Sequence, residues 1–258
     1  MKRIVYLLLA LLGITSLTYG FFHFHGSNAI HYVNSATLKG NHFYQNGWYY
    51  DGNDWAYVRN GHKLTRNRTI NNVQYHFNQN GIQILPYRVN HQYELSANQG
   101  STLQANNKYI ILHDVGSEAT GTQAASYMQR TAIPNRVYTN FIVGNNGIVY
   151  QIKRPSIVSW GAGTEANNNS AAQIELGRSQ TQSGFEQDYK TYILLARDLA
   201  EKYSIPLTLD AGKADTRGLK SHLWVTQNLW GDHQDPYGYL KEHGISKKQL
   251  ASDLANGI

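Results

Sequence analysis

The chain contains no cysteine among its 258 residues. That excludes disulfide stapling and any thiolate acting as nucleophile or metal ligand. A metal site here must be built from His, Asp, Glu and water. Charge is also sparse, with 16% of residues Asp, Glu, Lys or Arg. The basic residues are scattered and no nucleic-acid-binding motif stands among them, so nucleic acid is not an expected partner. No glycine loop cradles phosphate either, since GNNG (144–147) and GAG (161–163) lack the required lysine spacing.

What is present points elsewhere. There are 19 Tyr against 7 Phe and 5 Trp. Such an excess suits a surface that stacks against sugars, or else a Tyr-rich core. The net charge of +6 suits a polyanionic surrounding such as an acidic lipid or an anionic cell wall.

The first residues, MKRIVYLLLALLGITSLTYGFFHF, place Lys2 and Arg3 ahead of an apolar run. That is the layout of a secretory signal. The apolar character continues to Phe24, about the 20 residues that span a bilayer. No Ala-x-Ala cleavage site follows. Residues 1–25 are therefore read as either a cleaved signal or an uncleaved membrane anchor. Both put the remainder outside the cytoplasm, because the two basic residues stay inside.

Residues 37–90 carry aromatic clusters separated by Asn-Gly and Asp-Gly pairs, the sign of tight hairpins. Three loose units align: HFYQNGWYY, WAYVRNGHKL and YHFNQNGIQI. Stacked hairpins that share aromatic faces are one solution. They resemble the aromatic wall-binding repeats of Gram-positive surface proteins, which would make teichoic acid or a wall polysaccharide the ligand. The other solution is a small β-subdomain packed on the main domain.

From residue 91 to 258 the pattern is that of one α/β domain. KYIILHDVG (108–116) and AAQIELG (171–177) read as buried strands, and TNFIVGNNGIVYQI (139–152) as a hairpin. Tyr192, Leu195, Ala196, Leu199 and Tyr203 recur at helical spacing. Ser246 is placed to cap a last helix running through Leu254. The irregular alternation predicts a mixed central sheet flanked by helices, preceded by the small all-β hairpin region.

Eleven histidines occur, but only His113, His222, His233 and His243 follow residue 91. His113 ends a predicted strand. His222, His233 and Asp235 lie in SHLWVTQNLWGDHQDP (221–236), whose spacing suits a gripping loop better than a helix face or a strand. Pro236 restricts Asp235 to extended backbone. Two imidazoles and one carboxylate would hold zinc and leave a fourth position for water. Glu175 would then serve as the base, and His233 reaches the same cavity. The plain alternative is a hydrogen-bonded His–Asp pair at the surface. Asp114, Glu118 and Asp232 read as solvated loop charges. Trp224 and Trp230 read as core anchors of the loop.

In order and rough spacing, IILHDVG, NFIVGNNGIVYQI, SWGAG, AAQIELG and SHLWVTQNLWGDHQDPYGYL resemble the type 2 N-acetylmuramoyl-L-alanine amidases. These are zinc enzymes similar to peptidoglycan recognition proteins, and the nearest in type are Gram-positive autolysins and phage lysins. The resemblance covers residues 91–242. It implies His113, His222 and Asp235 as zinc ligands, Glu175 as the catalytic glutamate and His233 as the second catalytic group. It implies peptidoglycan as substrate and the lactyl–L-alanine amide as the bond cut, in a secreted or cell-surface protein. Two positions depart from the family's pattern: Asn140, where many relatives carry His, and Gly161, within what is elsewhere WHAG. Members without a complete metal site bind peptidoglycan and do not cut it, and a zinc peptidase of the stem peptide would use similar chemistry.

Overall fold

The computed structural model describes residues 30–32, 46–51 and 53–258. The export segment expected at residues 1–25 lies outside the described residues, as does the front of the first aromatic unit. Among the described residues no helix is long and apolar enough to cross a membrane.

Strands β1 (Ile30–Tyr32), β2 (Gly47–Tyr50), β3 (Trp55–Arg59) and β4 (His62–Lys63) form a small sheet in that order. A separate hairpin joins β5 (Arg66–Ile70) to β6 (Val73–Phe77). The β3–β4 turn follows the Asn-Gly cue of the sequence. Asn60 and Gly61 take φ of 53° and 79°, the left-handed pair that suits a two-residue hairpin loop. Asn71 and Asn72 do the same at 50° and 67°.

The aligned units do not occupy equivalent places. Asn46-Gly47 leads into strand β2, whereas Asn60-Gly61 turns out of β3. Most of their described aromatics face inward. Trp48, Tyr50, Trp55, Tyr57, Tyr75 and Phe77 are buried in one core together with Tyr192, Leu199 and Tyr203. Trp48 meets Tyr75 edge-on at 4.8 Å between centroids, and Trp55 meets Tyr203 at 6.2 Å. Burying one such ring removes 150–250 Å² from water, about 4–6 kcal/mol before entropy is counted. That term favours sealing the rings against the larger domain over leaving them on the surface.

The main sheet has six strands in the order β12-β8-β11-β9-β10-β7. They are β7 (Arg88–Asn90), β8 (Tyr109–Asp114), β9 (Phe141–Gly144), β10 (Ile148–Gln151), β11 (Ser170–Leu176) and β12 (Gly218–Ser221). All neighbours pair in parallel except β9 and β10, which form the predicted hairpin. The sheet is mixed, as the alternation of elements predicted.

Helices cover both faces. They are α1 (Gly121–Asn135), α2 (Thr164–Asn169), α3 (Gln182–Lys202), α4 (His222–Asn228), α5 (Tyr237–Glu242) and α6 (Lys247–Asn256). Helix α3 buries Tyr192, Leu195, Ala196 and Leu199, the stripe read from spacing, and Ser246 caps α6 through Gln249 N–H. On the α3 side Ile110, Leu112, Ile174 and Leu176 point into the core. Strand alternation then turns Ile111, His113, Gln173 and Glu175 to the opposite face. There α1 covers Ile142 and Tyr150, while Ala166, Trp224 and Val225 cover Tyr109 and Ile111. The polar residues His113, Gln173 and Glu175 sit between those two apolar clusters.

Candidate metal centre

Three parallel strands deliver the site at their carboxyl ends, where open α/β sheets place ligands. His113 stands near the end of β8, Glu175 near the end of β11, and His222 follows β12 directly as the first residue of α4. Ser221 caps that helix by accepting from Trp224 N–H at 3.0 Å, and its own hydroxyl donates to Asp210 Oδ2 at 2.9 Å. The stretch expected to be a loop thus begins as a helix, because Ser221 supplies an N-cap. Asp235 comes from beyond the helix, ahead of a cis peptide bond to Pro236. Its carbonyl accepts from Leu223 N–H at 3.1 Å, pinning the returning chain beside His222.

His113, His222 and Asp235 converge. His113 Nδ1 lies 3.0 Å from His222 Nδ1 and 3.3 Å from Asp235 Oδ2, and His222 Nδ1 lies 3.1 Å from Asp235 Oδ1. A tetrahedral ion with bonds of about 2.0–2.1 Å sets its ligand atoms about 3.3–3.4 Å apart. The three donors therefore fit a small dication closely. Both imidazoles are buried, at 2% and 4% exposure.

Protonation states follow from this crowding. For Asp235, burial opposes ionisation, but the hydrogen bonds from His113 and His222 win and hold the carboxyl far below its usual range. For His113, burial lowers the proton affinity, while Glu175 and Asp235 more than restore it. Burial and the neighbouring His113 charge push His222 down to about 4. A dication placed among these three side chains would compete with protons for the same donor atoms.

Glu175 pairs in register with His113 across β8 and β11. Burial pushes its carboxyl up to about 8, and the His113 charge offsets this in part. Its Oε2 has no hydrogen-bond partner. A buried orphan of this kind is costly unless a ligand or proton transfer uses it.

His233 lies at the exposed rim. Its ring stacks on His222 at 4.1 Å between centroids, with Nδ1 3.5 Å from Asp235 Oδ1. His243 is remote from this group and stacks on Phe185 at 3.8 Å.

Several expectations need correction. Trp224 is buried at 3% exposure, but Trp230 is 70% exposed and does not anchor the core. Its ring lies against Gly163, where a Cβ would come within 2.7 Å of Trp230 Cε3. Asp114 is buried rather than solvated, because Arg178 donates to its Oδ1 at 2.8 Å. Sequence reasoning passed over Arg178 altogether, and nothing local marks it. It also passed over Gln173, which accepts from the far nitrogen of His113 at 3.1 Å. The parity of AAQIELG, with Gln173 two residues before Glu175 on the same strand face, was the available signal.

The chain belongs to the N-acetylmuramoyl-L-alanine amidase family, which it matches over residues 103–238. Among curated relatives it is 47% identical over 150 residues to an endolysin of Listeria phage A511, covering 57% of this chain and 43% of that protein. It is 33% identical over 155 residues to a lytic amidase of Streptococcus pneumoniae phage HB-3, covering 58% and 48%. The chain thus spans less than half the length of these relatives. In fold it is similar to the Staphylococcus aureus hydrolase AmiA, solved in complex with its ligand, with a TM-score of 0.57. The match covers 67% of this chain and 83% of that one at 20% identity.

Proposed function

We propose that this protein hydrolyses the amide bond between the lactyl group of N-acetylmuramic acid and L-alanine in peptidoglycan, with zinc as cofactor. The observation that carries the reading is the approach of His113, His222 and Asp235 donor atoms to 3.0–3.3 Å beside Glu175, whose buried Oε2 has no hydrogen-bond partner. Family membership supplies the substrate class.

His113, His222 and Asp235 would hold the zinc, which would supply Lewis-acid polarisation of a carbonyl and lower the pKa of water. Glu175 takes a proton from the attacking water as the water oxygen joins the lactyl carbonyl carbon. His233, exposed beside Asp235, donates toward the carbonyl oxygen as negative charge develops there. The carbon–nitrogen bond then breaks, and Glu175 returns the proton to the L-alanine nitrogen. The products are a muramic acid carboxylate and a free peptide amine.

The finer assignments follow the same reading. Residues 1–25 act as an export signal or anchor and residues 91–258 as the catalytic domain. The protein works at the cell wall. Because Trp48, Tyr50, Trp55, Tyr57, Tyr75 and Phe77 are buried, a hold on anionic wall polymers would fall mainly to the exposed Arg59, Arg66 and Arg68.

The test is digestion of purified walls with identification of the freed termini. New amino-terminal alanine, abolished by a chelator and restored by zinc, is the expected result. Termini elsewhere in the stem peptide would make it a peptidase. Wall binding without cleavage would make it a recognition protein.

A further inference from the structure

The geometry points to Gln173 as the positioning residue of the metal centre, which fixes His113 with its proton on Nε2 and its lone pair on Nδ1 turned toward His222 and Asp235. This rests on His113 being a metal ligand, as proposed above.

Backbone groups have a fixed hydrogen-bond polarity. The N–H groups of Gly161 and Ala162 donate to Asn167 Oδ1 at 3.2 and 2.8 Å, so that atom must be the amide oxygen. The same oxygen accepts from Gln173 Nε2 at 2.8 Å, and the Ser159 carbonyl faces the same nitrogen at 3.4 Å. Both neighbours of Nε2 are acceptors, so the Gln173 amide has one orientation only. Its Oε1 faces His113 Nε2 at 3.1 Å and can only accept. His113 therefore donates from Nε2, and Nδ1 is left as the ligand atom.

The surroundings hold Gln173 in place. Its backbone N–H donates to Asn140 Oδ1 at 3.0 Å, and that oxygen also accepts from Ser159 Oγ at 2.9 Å. Asn140 Nδ2 donates to the Arg154 and Ile157 carbonyls, both at 3.0 Å. A Cβ at position 161 would come within 2.5 Å of Gln173 Oε1, so only glycine leaves that oxygen its place. The two departures from the family's pattern, Asn140 and Gly161, both touch Gln173. They read as one arrangement built around this amide.

The experiment measures zinc affinity of the whole chain by chelator competition, for the wild type, Gln173→Met and Gly161→Ala. Metal-free melting temperatures are recorded alongside. Loss of such an outer hydrogen bond costs about 10–100-fold in metal affinity, and that is expected for Gln173→Met. Gly161→Ala keeps the amide but displaces its oxygen, so a smaller loss in the same direction is expected. In the zinc-loaded wild type the His113 Nε2 proton should exchange slowly in nitrogen-15 NMR, and that protection should vanish in Gln173→Met. A merely structural role would lower the metal-free melting temperature and leave affinity unchanged. Unchanged affinity with a protected proton in Gln173→Met overturns the inference alone. If that variant does not fold, unchanged affinity in Gly161→Ala overturns it. A wild type that binds no zinc overturns the metal reading beneath it as well.

Discussion

His113 and Glu175 are direct partners in the parallel pairing of β8 with β11. Their separation is therefore set by the strand ladder rather than by loop conformation. The proposed metal ligand and the proposed proton acceptor, held this way, would keep their mutual geometry without help from substrate.

Exchange of Glu175 for Gln should separate binding from chemistry. Position 175 is not among the three converging donors, so Glu175→Gln should retain zinc. Wall hydrolysis should fall by roughly 10²–10⁴, the usual worth of a positioned acid–base group. Turbidity clearing of purified walls and zinc content per chain check both halves, and full lytic activity in the variant would remove Glu175 from the reaction.

Removal of one ligand should cost metal and metal-linked stability together. Zinc at about 1,000 times its dissociation constant adds about 4 kcal/mol to unfolding free energy. Asp235→Ala should lose most of that zinc-dependent rise in melting temperature. A rise equal to that of the wild type would place the ion elsewhere.

The two tryptophans of the 221–236 stretch should behave in opposite ways. Trp224 is buried against Tyr109 at 5.5 Å, so Trp224→Ala should cost about 3–5 kcal/mol. Trp230 is 70% exposed, and Trp230→Ala should stay within about 0.5 kcal/mol. Urea denaturation distinguishes these outcomes, and equal losses would contradict the placement of Trp230.

Lys202 should leave a signature at alkaline pH. Burial pushes its ammonium below the usual lysine range, and Asp198, 2.5 Å away, restores only part. In the unfolded chain lysine titrates at about 10.4. Below that value the unfolded state holds the proton more tightly, so this residue makes stability rise with pH as 10.4 is approached. The wild-type minus Lys202→Met difference in unfolding free energy should follow that rise as pH climbs toward about 10.4. A pH-independent difference would mean that Lys202 titrates as in water.

The strands bearing His113 and Glu175 were legible because each is a short apolar run, and α3 because its stripe is wide and aromatic. Helix α1 escaped notice because its buried face is mostly small: Gly121, Ala124, Ala125 and Ala132, with Met128 the exception. Its capping box, Thr120 with Gln123, was the sign to read. The β3–β4 turn was written in the Asn60-Gly61 pair, whereas the turn at Asn71-Asn72 was not, and the direction in which the buried rings face is decided by α3, more than a hundred residues later. Asp114 was misjudged for the same reason, since Arg178 reaches it from 64 positions away. Local patterns specify turns and strands, whereas burial of a polar group depends on partners that only the fold assembles.

The Trp48–Trp55–Tyr203 contact also has a practical bearing. An engineer seeking a minimal lytic fragment would be drawn to cut near residue 90, where the amidase-like pattern begins. That cut would strip the covering from Tyr203 and the flank of α3 and leave a greasy face prone to clumping. A useful trim keeps residues 47–87, even if they never touch the wall.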